Sequence, residues 1–234
     1  MEKKYRRILF KLSGEALANN SGKMLDDDFV AEVVGALAKC LAEGVQVGIV
    51  VGAGNIWRGR QGGNMDRVRG DYMGMLATAI NALALADAFA QQGVDARVMT
   101  AIQMPEIGEY YTRDAAVRHL EAGRVVIFAC GSGRPFFSTD TAGALRAIEI
   151  GADVILMGKN VDGVYEADPN VVKDARRFDE ISYADVLARG LRVIDLTATA
   201  LCMDHKIPTF VFGLKDADSI YRAAMGEAVG TLIF

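Results

Sequence analysis

The chain has 234 residues, of which 51% are hydrophobic and 24% are charged, so it is long enough for one large α/β domain or two small ones with a sizeable core. Its formal net charge of −4 argues against a general binder of nucleic acids or of anionic membranes. The three cysteines stand far apart without metal or redox spacing, and the basic N-terminal stretch leads into too short an apolar run for a signal peptide. We therefore expect a cytoplasmic protein that does not enter a membrane.

Apolar strands and amphipathic helices alternate along the chain. The first predicted strand, over residues 6–12, precedes a helix with aspartates at its start, an apolar stripe from Phe29 to Leu41 and Gly44 as its stop. The pattern predicts further strands over residues 45–51, 96–101, 124–129, 153–157, 208–212 and 230–234. It predicts further helices over residues 70–92, 112–122, 139–150 and 197–205, one capped by Ser182 and one from Asp216.

The first three of these elements indicate the fold class. A strand, an amphipathic helix and a continuously apolar strand predict a parallel sheet with helices on both faces. We expect one α/β domain over residues 1–234, in which the last part of the chain could form a separate lobe. The turns Asp162-Gly163 and Asp168-Pro169 flank Val164-Tyr165 and predict a short hairpin there.

Glycines and cations follow several of the predicted strands. The segments are Lys11-Leu12-Ser13-Gly14, Gly52-Ala53-Gly54 with Arg58 behind it, residues 130–140, and Gly158-Lys159-Asn160. Ligands of open α/β sheets gather at the carboxyl ends of the strands, so we expect these segments to share one edge. Glycine lets backbone N–H groups approach an anion, and Lys11, Arg58 and Lys159 could neutralise a polyphosphate. The sequence predicts a phosphoryl-transfer site without a P-loop. In a P-loop the lysine follows the glycines, whereas here Lys11 precedes Gly14.

The residues alone leave other interpretations open. Gly52-Ala53-Gly54 could begin a dinucleotide fingerprint, although Trp57 stands at its third glycine position and no helix opens directly after it. Asp140 lies in the first turn of its predicted helix, where it could be a cap or could orient Lys11. Asp71 is most simply interpreted as the cap of the helix from residue 70.

Six segments together resemble one known family. They are KLSGEAL, GAGNIWRG, RGDYMGMLAT, GRPFFSTDTA, VDGVYEADP and GEAVGTLIF, in this order between Tyr5 and Phe234, and they are similar to segments of bacterial-type UMP kinases (uridylate kinases) of the amino acid kinase superfamily. Other kinases of that superfamily lack GDYMGM followed by PFFSTD. The resemblance implies a three-layer αβα sandwich around a mainly parallel sheet. It also implies a homohexamer that transfers the γ-phosphoryl group of ATP to UMP in pyrimidine nucleotide synthesis.

The resemblance assigns residues to both substrates. To ATP it assigns Lys11, Leu12, Ser13, Gly14, Gly54, Arg58, Lys159, Asn160, Tyr165 and Asp168, with Tyr165 beside the adenine. To UMP it assigns Ala53, Asp71, Ser132, Gly133, Arg134, Pro135, Phe136, Phe137, Ser138 and Thr139. Ala53 stands where the family often has glycine, and Arg134 where some members have asparagine. The implied lobes are a UMP-binding one over about residues 1–150 and an ATP-binding one over about residues 151–234.

Lys11 and Asp140 are the catalytic residues that the resemblance implies. Phosphoryl transfer is catalysed mostly by positioning and electrostatic stabilisation, and the phosphate of UMP is already anionic, so no strong base is needed. Lys11 would stabilise the transferred group while Asp140 holds its ammonium in place. Mg²⁺ would arrive with ATP, held by phosphates and water rather than by a carboxylate cage.

Regulation and two rival functions complete the expectations. Many members of the family are activated by GTP and inhibited by UTP, and the segment linked to GTP activation is typically glycine-rich. This chain has Asn19-Asn20-Ser21-Gly22-Lys23-Met24 there, so we expect an altered or absent response to GTP. The rival functions are a kinase of the superfamily that acts on a small carboxylate, and a non-catalytic nucleotide- or anion-binding storage protein.

Overall fold

The fold is an alternation of strands and helices, given by a computed structural model that describes residues 4–18, 23–57, 64–169, 171–191 and 193–234. The strands are β1 (Arg7–Leu12), β2 (Gln46–Val51), β3 (Ala96–Thr100), β4 (Glu109–Tyr110), β5 (Val125–Ala129), β6 (Val154–Lys159), β7 (Glu180–Ile181), β8 (Thr209–Gly213) and β9 (Gly230–Ile233). The helices are α1 (Gly14–Ala18), α2 (Asp27–Ala42), α3 (Arg67–Gln91), α4 (Arg113–Glu121), α5 (Thr139–Ile150), α6 (Tyr183–Ala188), α7 (Leu196–His205) and α8 (Asp218–Ala224).

The described strands form one nine-stranded sheet in the order β4-β3-β5-β2-β1-β6-β8-β9-β7. The first seven strands in this order run parallel, while β9 pairs antiparallel with β8 and parallel with β7. The sheet is thus mainly parallel, as predicted. Its central strand β1 is fully buried, which explains why residues 7–12 have no polar residue except Arg7 and Lys11.

Helices cover both faces of the sheet, which confirms the three-layer αβα sandwich. One core packs α2, α3 and α8 against the sheet, and the other packs α4, α5, α6 and α7. Side chains alternate along β1, so Ile8, Phe10 and Leu12 enter the first core and Leu9 the second. The same alternation places Lys11 on the side of α5. A Cβ at Gly143 of α5 would lie 3.8 Å from Cγ of Lys11.

Helix α3 begins three residues earlier than predicted, and the carboxylate of Asp66 caps it by accepting a hydrogen bond from the N–H of Arg69. The interpretation of Asp71 as a helix cap is therefore wrong, because Asp71 lies inside the helix. Among the described residues, α3 is also long and apolar enough to span a membrane. Its residues Leu85 and Phe89 are fully buried in the first core, as in a core helix of an α/β domain.

The hairpin predicted at residues 164–165 is present in a minimal form. Tyr165 makes an isolated antiparallel bridge with Arg177, flanked by backbone hydrogen bonds from the N–H of Glu166 to the carbonyl of Arg176 and from the N–H of Phe178 to the carbonyl of Val164. The pairing is too short to form strands of the sheet. The sequence also did not reveal the two-residue strands β4 and β7 or the five-residue helix α1.

Candidate active site

Two lysines and one aspartate meet at the carboxyl edge of the sheet. Lys11 is the fifth residue of β1, Lys159 is the last residue of β6, and Asp140 lies in the first turn of α5. Nζ of Lys11 is 2.7 Å from Oδ1 of Asp140, and Nζ of Lys159 is 3.7 Å from its Oδ2. Since β1 and β6 are neighbours in the sheet, two parallel strands deliver both lysines to the start of one helix. Of the alternatives for Asp140, a partner of Lys11 is confirmed.

Burial and charge act against each other in this cluster. Burial alone would raise the pKa of Asp140, but Lys11 and Lys159 outweigh it, so that pKa lies below the ordinary carboxyl value. Burial lowers the pKa of Lys159 more than the carboxylate of Asp140 raises it. Two ammonium groups share one carboxylate in a largely buried position. The side chain of Lys11 is 10% exposed, that of Asp140 15% and that of Lys159 25%. The arrangement has positive charge left for an anionic ligand, where a low local dielectric strengthens its effect.

The first two glycine loops are packed directly against each other. A Cβ at Gly14 would lie 2.5 Å from the backbone N of Gly54 and 2.8 Å from the carbonyl oxygen of Gly52, so only glycine fits there. The N–H of Gly52 donates to the carbonyl of Leu12. The loop after β2 is fixed from the other side by a pair of amides that sequence reasoning missed. Nδ2 of Asn81, on α3, donates to the carbonyl of Gly52 at 2.8 Å and to Oδ1 of Asn55 at 2.8 Å.

A pocket of about 250 Å³ opens beside these loops. Most of the residues predicted for UMP line it: Ala53, Asp71, Ser132, Arg134, Phe137, Ser138 and Thr139, together with Gly54 from the ATP set. Trp57, Thr78 and Cys130 line it as well and were not predicted. Thr78 holds the loop after β5, because its Oγ1 accepts a hydrogen bond from the N–H of Cys130 at 2.7 Å. The pocket thus lies between α3 and the loop that leads into α5.

Asp71 connects α3 to the loop before α5. Its carboxylate accepts the N–H of Phe136 at 2.8 Å and Nε of Arg67 at 2.9 Å. A carboxylate has about four acceptor positions, so acceptor capacity remains for hydroxyl groups. Phe136 has φ of 73° and its exposed ring lies under the guanidinium of Arg67. Gly133 also has positive φ, and a Cβ there would lie 2.8 Å from the carbonyl oxygen of Ala101. Gly133 therefore shapes the loop, and neither Gly133 nor Pro135 lines the pocket.

A second cleft, of about 1080 Å³, adjoins the lysine cluster on the side of α6 and α7. Asp140 and Lys159 line it, and Asp71, Phe137 and Ser138 line both cavities. The two cavities therefore meet at the start of α5, beside the charged cluster. Such an arrangement can hold two ligands with their anionic ends facing each other.

The residues predicted for the adenine end of ATP follow Lys159 in the loop after β6. The hydroxyl of Tyr165 donates to Oδ1 of Asp162 at 2.6 Å, and this bond is the main reason that the pKa of Tyr165 is raised. The carbonyl of Asp168 accepts the N–H groups of Val171 and Val172. Asn160, Tyr165 and Asp168 line neither cavity. Arg58 and residues 19–22 lie outside the described residues.

Asp195 is the main functional candidate that sequence reasoning missed. It caps α7, lines the larger cleft, and accepts hydrogen bonds from the hydroxyl groups of Ser138 and Thr141. The sequence signal was an aspartate before a helix, which is common and indicates only a cap. Within the described ranges, no three His, Cys, Asp or Glu side chains are grouped closely enough to hold a metal ion.

Comparisons with known proteins agree with this geometry. The family model described as "Amino acid kinase family" matches residues 6–213. A crystal structure of UMP kinase from Bacillus anthracis is 38% identical, covers 98% of this chain and 96% of its own, and superimposes with a TM-score of 0.94. UMP kinase from Ureaplasma parvum is 35% identical, with 100% and 99% coverage and a TM-score of 0.93. Uridylate kinase from Archaeoglobus fulgidus is 30% identical, with 97% and 99% coverage and a TM-score of 0.74.

Proposed function

The chain belongs to the amino acid kinase family, and we propose that it is a UMP kinase, which transfers the γ-phosphoryl group of ATP to UMP and yields ADP and UDP. The observation that carries the proposal is the Lys11–Asp140–Lys159 cluster, of which Asp140 and Lys159 line the larger cavity near the start of α5, where the smaller cavity adjoins it. The similar proteins named as UMP kinases supply the identity of the acceptor. The product would feed the synthesis of UTP and CTP.

The reaction requires charge stabilisation more than proton transfer. An anionic oxygen of the UMP phosphate attacks the γ-phosphorus, the bond from that phosphorus to the bridging oxygen breaks, and the electron pair leaves with ADP. Lys11 neutralises charge on the transferred oxygens, and Asp140 keeps the ammonium of Lys11 aimed at them. Lys159 adds a second cation at the same edge. Mg²⁺ enters as part of the MgATP substrate, and its chemistry is the neutralisation of phosphate charge.

The two substrates would occupy opposite sides of this cluster. UMP would occupy the smaller cavity, where Asp71 could accept hydrogen bonds from ribose hydroxyls and the loop 132–139 could offer backbone groups to the base and phosphate. The phosphates of ATP would lie on the backbone of Leu12, Ser13, Gly14 and Gly54 with Arg58. The adenine would lie near Asn160, Tyr165 and Asp168. This gives a UMP-binding lobe over about residues 1–150 and an ATP-binding lobe over about residues 151–234.

Assembly through α3 is part of the proposal. Tyr72, Leu76, Ile80 and Leu83 follow one another at spacings of four, four and three residues, so they share one face, and each is between 42% and 49% exposed. A second copy of the chain would cover this apolar face within a cytoplasmic homohexamer. Light scattering at micromolar concentration should then give a hexamer mass, and a monomer mass would contradict the assembly. GTP and UTP are the effectors that the family implies, and we expect an altered or absent response to GTP.

Measurement of ADP release with several acceptors in parallel tests the function. We expect release from ATP with UMP, and none above background with CMP, acetylglutamate or aspartate. Release with a carboxylate acceptor alone would make the protein a different kinase of the family. Nucleotide binding without any release would make it a storage protein. The variant Lys11→Met, prepared in the same way, shows whether the measured activity belongs to this protein.

A further inference from the structure

Asp195 joins the starts of two helices. As the N-cap of α7, its Oδ1 accepts the N–H of Ala198 at 2.8 Å. The same carboxylate accepts a hydrogen bond from the hydroxyl of Ser138, and one from Oγ1 of Thr141 at 3.0 Å. Ser138 and Thr141 belong to the start of α5, more than 50 residues away in sequence. A helix cap needs only the first of these three bonds, so the other two require a separate explanation.

The hydroxyl of Ser138 is completely used in this arrangement. It accepts the N–H groups of Asp140 and Thr141 at 3.0 and 3.2 Å, which caps α5. A serine hydroxyl has one proton and two lone pairs, so both lone pairs are occupied and the proton must go elsewhere. The hydroxyl donates this proton in a hydrogen bond to the carboxylate of Asp195. The charge on Asp195 thereby fixes the orientation of the hydroxyl that holds the backbone of Asp140.

Asp140 in turn contacts the two lysines of the proposed phosphoryl-transfer site. Its carboxylate is 2.7 Å from Nζ of Lys11 and 3.7 Å from Nζ of Lys159. A shift of the first turn of α5 would move this carboxylate away from Lys11 without breaking either strand. Misplacement of a catalytic group by about 1 Å can cost on the order of a hundredfold in rate.

We propose that Asp195 is a positioning residue for phosphoryl transfer, which acts through Ser138 and Thr141 on Asp140 and Lys11. The inference rests on the proposed function, because it concerns the rate of that reaction. Its negative charge also reaches Lys159. The charged groups that face Lys159 are Asp140 from α5, Lys11 from β1 and Asp195 from the start of α7, and both carboxylates raise the pKa of Lys159 against burial.

The substitution Asp195→Asn separates positioning from capping. Asparagine is as good an N-cap as aspartate and has nearly the same shape, so α7 keeps its bond from Ala198. Asparagine keeps the oxygen that accepts the N–H of Ala198 and the hydroxyl of Thr141, but its NH₂ group stands in place of Oδ2 and cannot accept the hydroxyl proton of Ser138. The matched control is Asp26→Asn, which makes the same change at the cap of α2, where Asp26 accepts the N–H of Phe29.

Steady-state kinetics of both variants with ATP and UMP test the proposal. For Asp195→Asn we expect kcat to fall about tenfold to a hundredfold with both KM values within about threefold of the parent protein. Tm should change no more than in Asp26→Asn. The alkaline limb of the kcat–pH profile should move to lower pH, because Lys159 loses a neighbouring negative charge, an effect that a purely structural role would not produce.

A double-mutant cycle with Ser138→Ala tests the route of the effect. If Asp195 acts through the hydroxyl of Ser138, the combined loss in kcat should be at least about threefold smaller than the product of the single losses. An unchanged kcat in Asp195→Asn would overturn the inference, as would multiplicative losses or a loss that only follows the unfolded fraction. If the parent protein itself releases no ADP with UMP, it is the proposed function that fails. If the parent protein is active and Asp195→Asn has the same kcat, only this inference fails.

Discussion

Replacement of Lys11 by methionine removes one ammonium group and leaves the volume of the side chain nearly unchanged. Nζ of Lys11 lies 2.7 Å from Asp140, and only 10% of the side chain is exposed, so water cannot replace the lost charge well. Deleting one preorganised group that stabilises transition-state charge costs about 3 kcal/mol, which corresponds to a roughly hundredfold to thousandfold lower kcat.

The expected effect on stability is smaller than the effect on rate. Breaking a buried ion pair completely costs about 3–5 kcal/mol, because an unpaired charge remains. In Lys11→Met the carboxylate of Asp140 keeps Lys159 as a neighbour at 3.7 Å, so we expect less than that. Steady-state ADP release and urea unfolding measure the two effects. Lys39→Met is the control, since the side chain of Lys39 is 62% exposed and pairs with Asp218 at 3.6 Å. A kcat of Lys11→Met within threefold of the control would refute the reasoning.

Three further substitutions test other parts of the site. Gly14→Ala would place a Cβ 2.5 Å from the N of Gly54, so we expect about 1–3 kcal/mol lower free energy of unfolding and a higher KM for ATP. Asp71→Asn keeps the shape of the side chain but loses acceptor capacity, so KM for UMP should rise about tenfold while KM for ATP stays constant. Asp140 has a lowered pKa, so its ionised form contributes stability above the ordinary carboxyl pKa of about 3.9, and this contribution is lost as the pH falls through the lower folded value. Asp140→Asn should therefore lose less stability than the parent protein on acid titration below about pH 4.

Each of these substitutions has its own contradicting result. Gly35→Ala is the control for Gly14→Ala, because the nearest atom to its Cβ would be 3.6 Å away, and equal behaviour of the two would disprove the close-packing argument. A rise in KM for ATP rather than for UMP in Asp71→Asn would contradict the assignment of Asp71 to UMP. Identical acid unfolding of Asp140→Asn and the parent protein would mean that the ion pairs of Asp140 do not stabilise the fold.

Long elements were predictable from the sequence because each one buries a face. The helix of residues 27–42 has its apolar stripe, its capping aspartate and its final glycine, and the structure contains all three. The strands β4 and β7 have two residues each, which is too short for any period to be visible. The hairpin at Tyr165 is limited to one antiparallel bridge, and turn residues do not show how far strands pair beyond them.

The site was predictable as far as strand ends define it. Lys11 and Lys159 lie at or next to the carboxyl ends of neighbouring strands, and an apolar strand interrupted by one lysine near its end is visible in the sequence. The contacts that depend on tertiary packing were not visible. Asn81 and Thr78 lie in the middle of α3, and in the sequence they look like polar residues of an exposed helix face; their contacts with the loops after β2 and β5 appear only in the structure. Asp195 contacts Ser138 because α7 packs on α5.

The destination of the γ-phosphoryl group is the most direct test of the central claim. The protein should be incubated with ATP labelled at the γ-phosphorus and with UMP, and the products should be separated by chromatography. The account predicts label in UDP, dependent on UMP and strongly reduced in Lys11→Met. Label that appears only in inorganic phosphate, or in an acyl phosphate when a carboxylate acceptor is supplied, would contradict it.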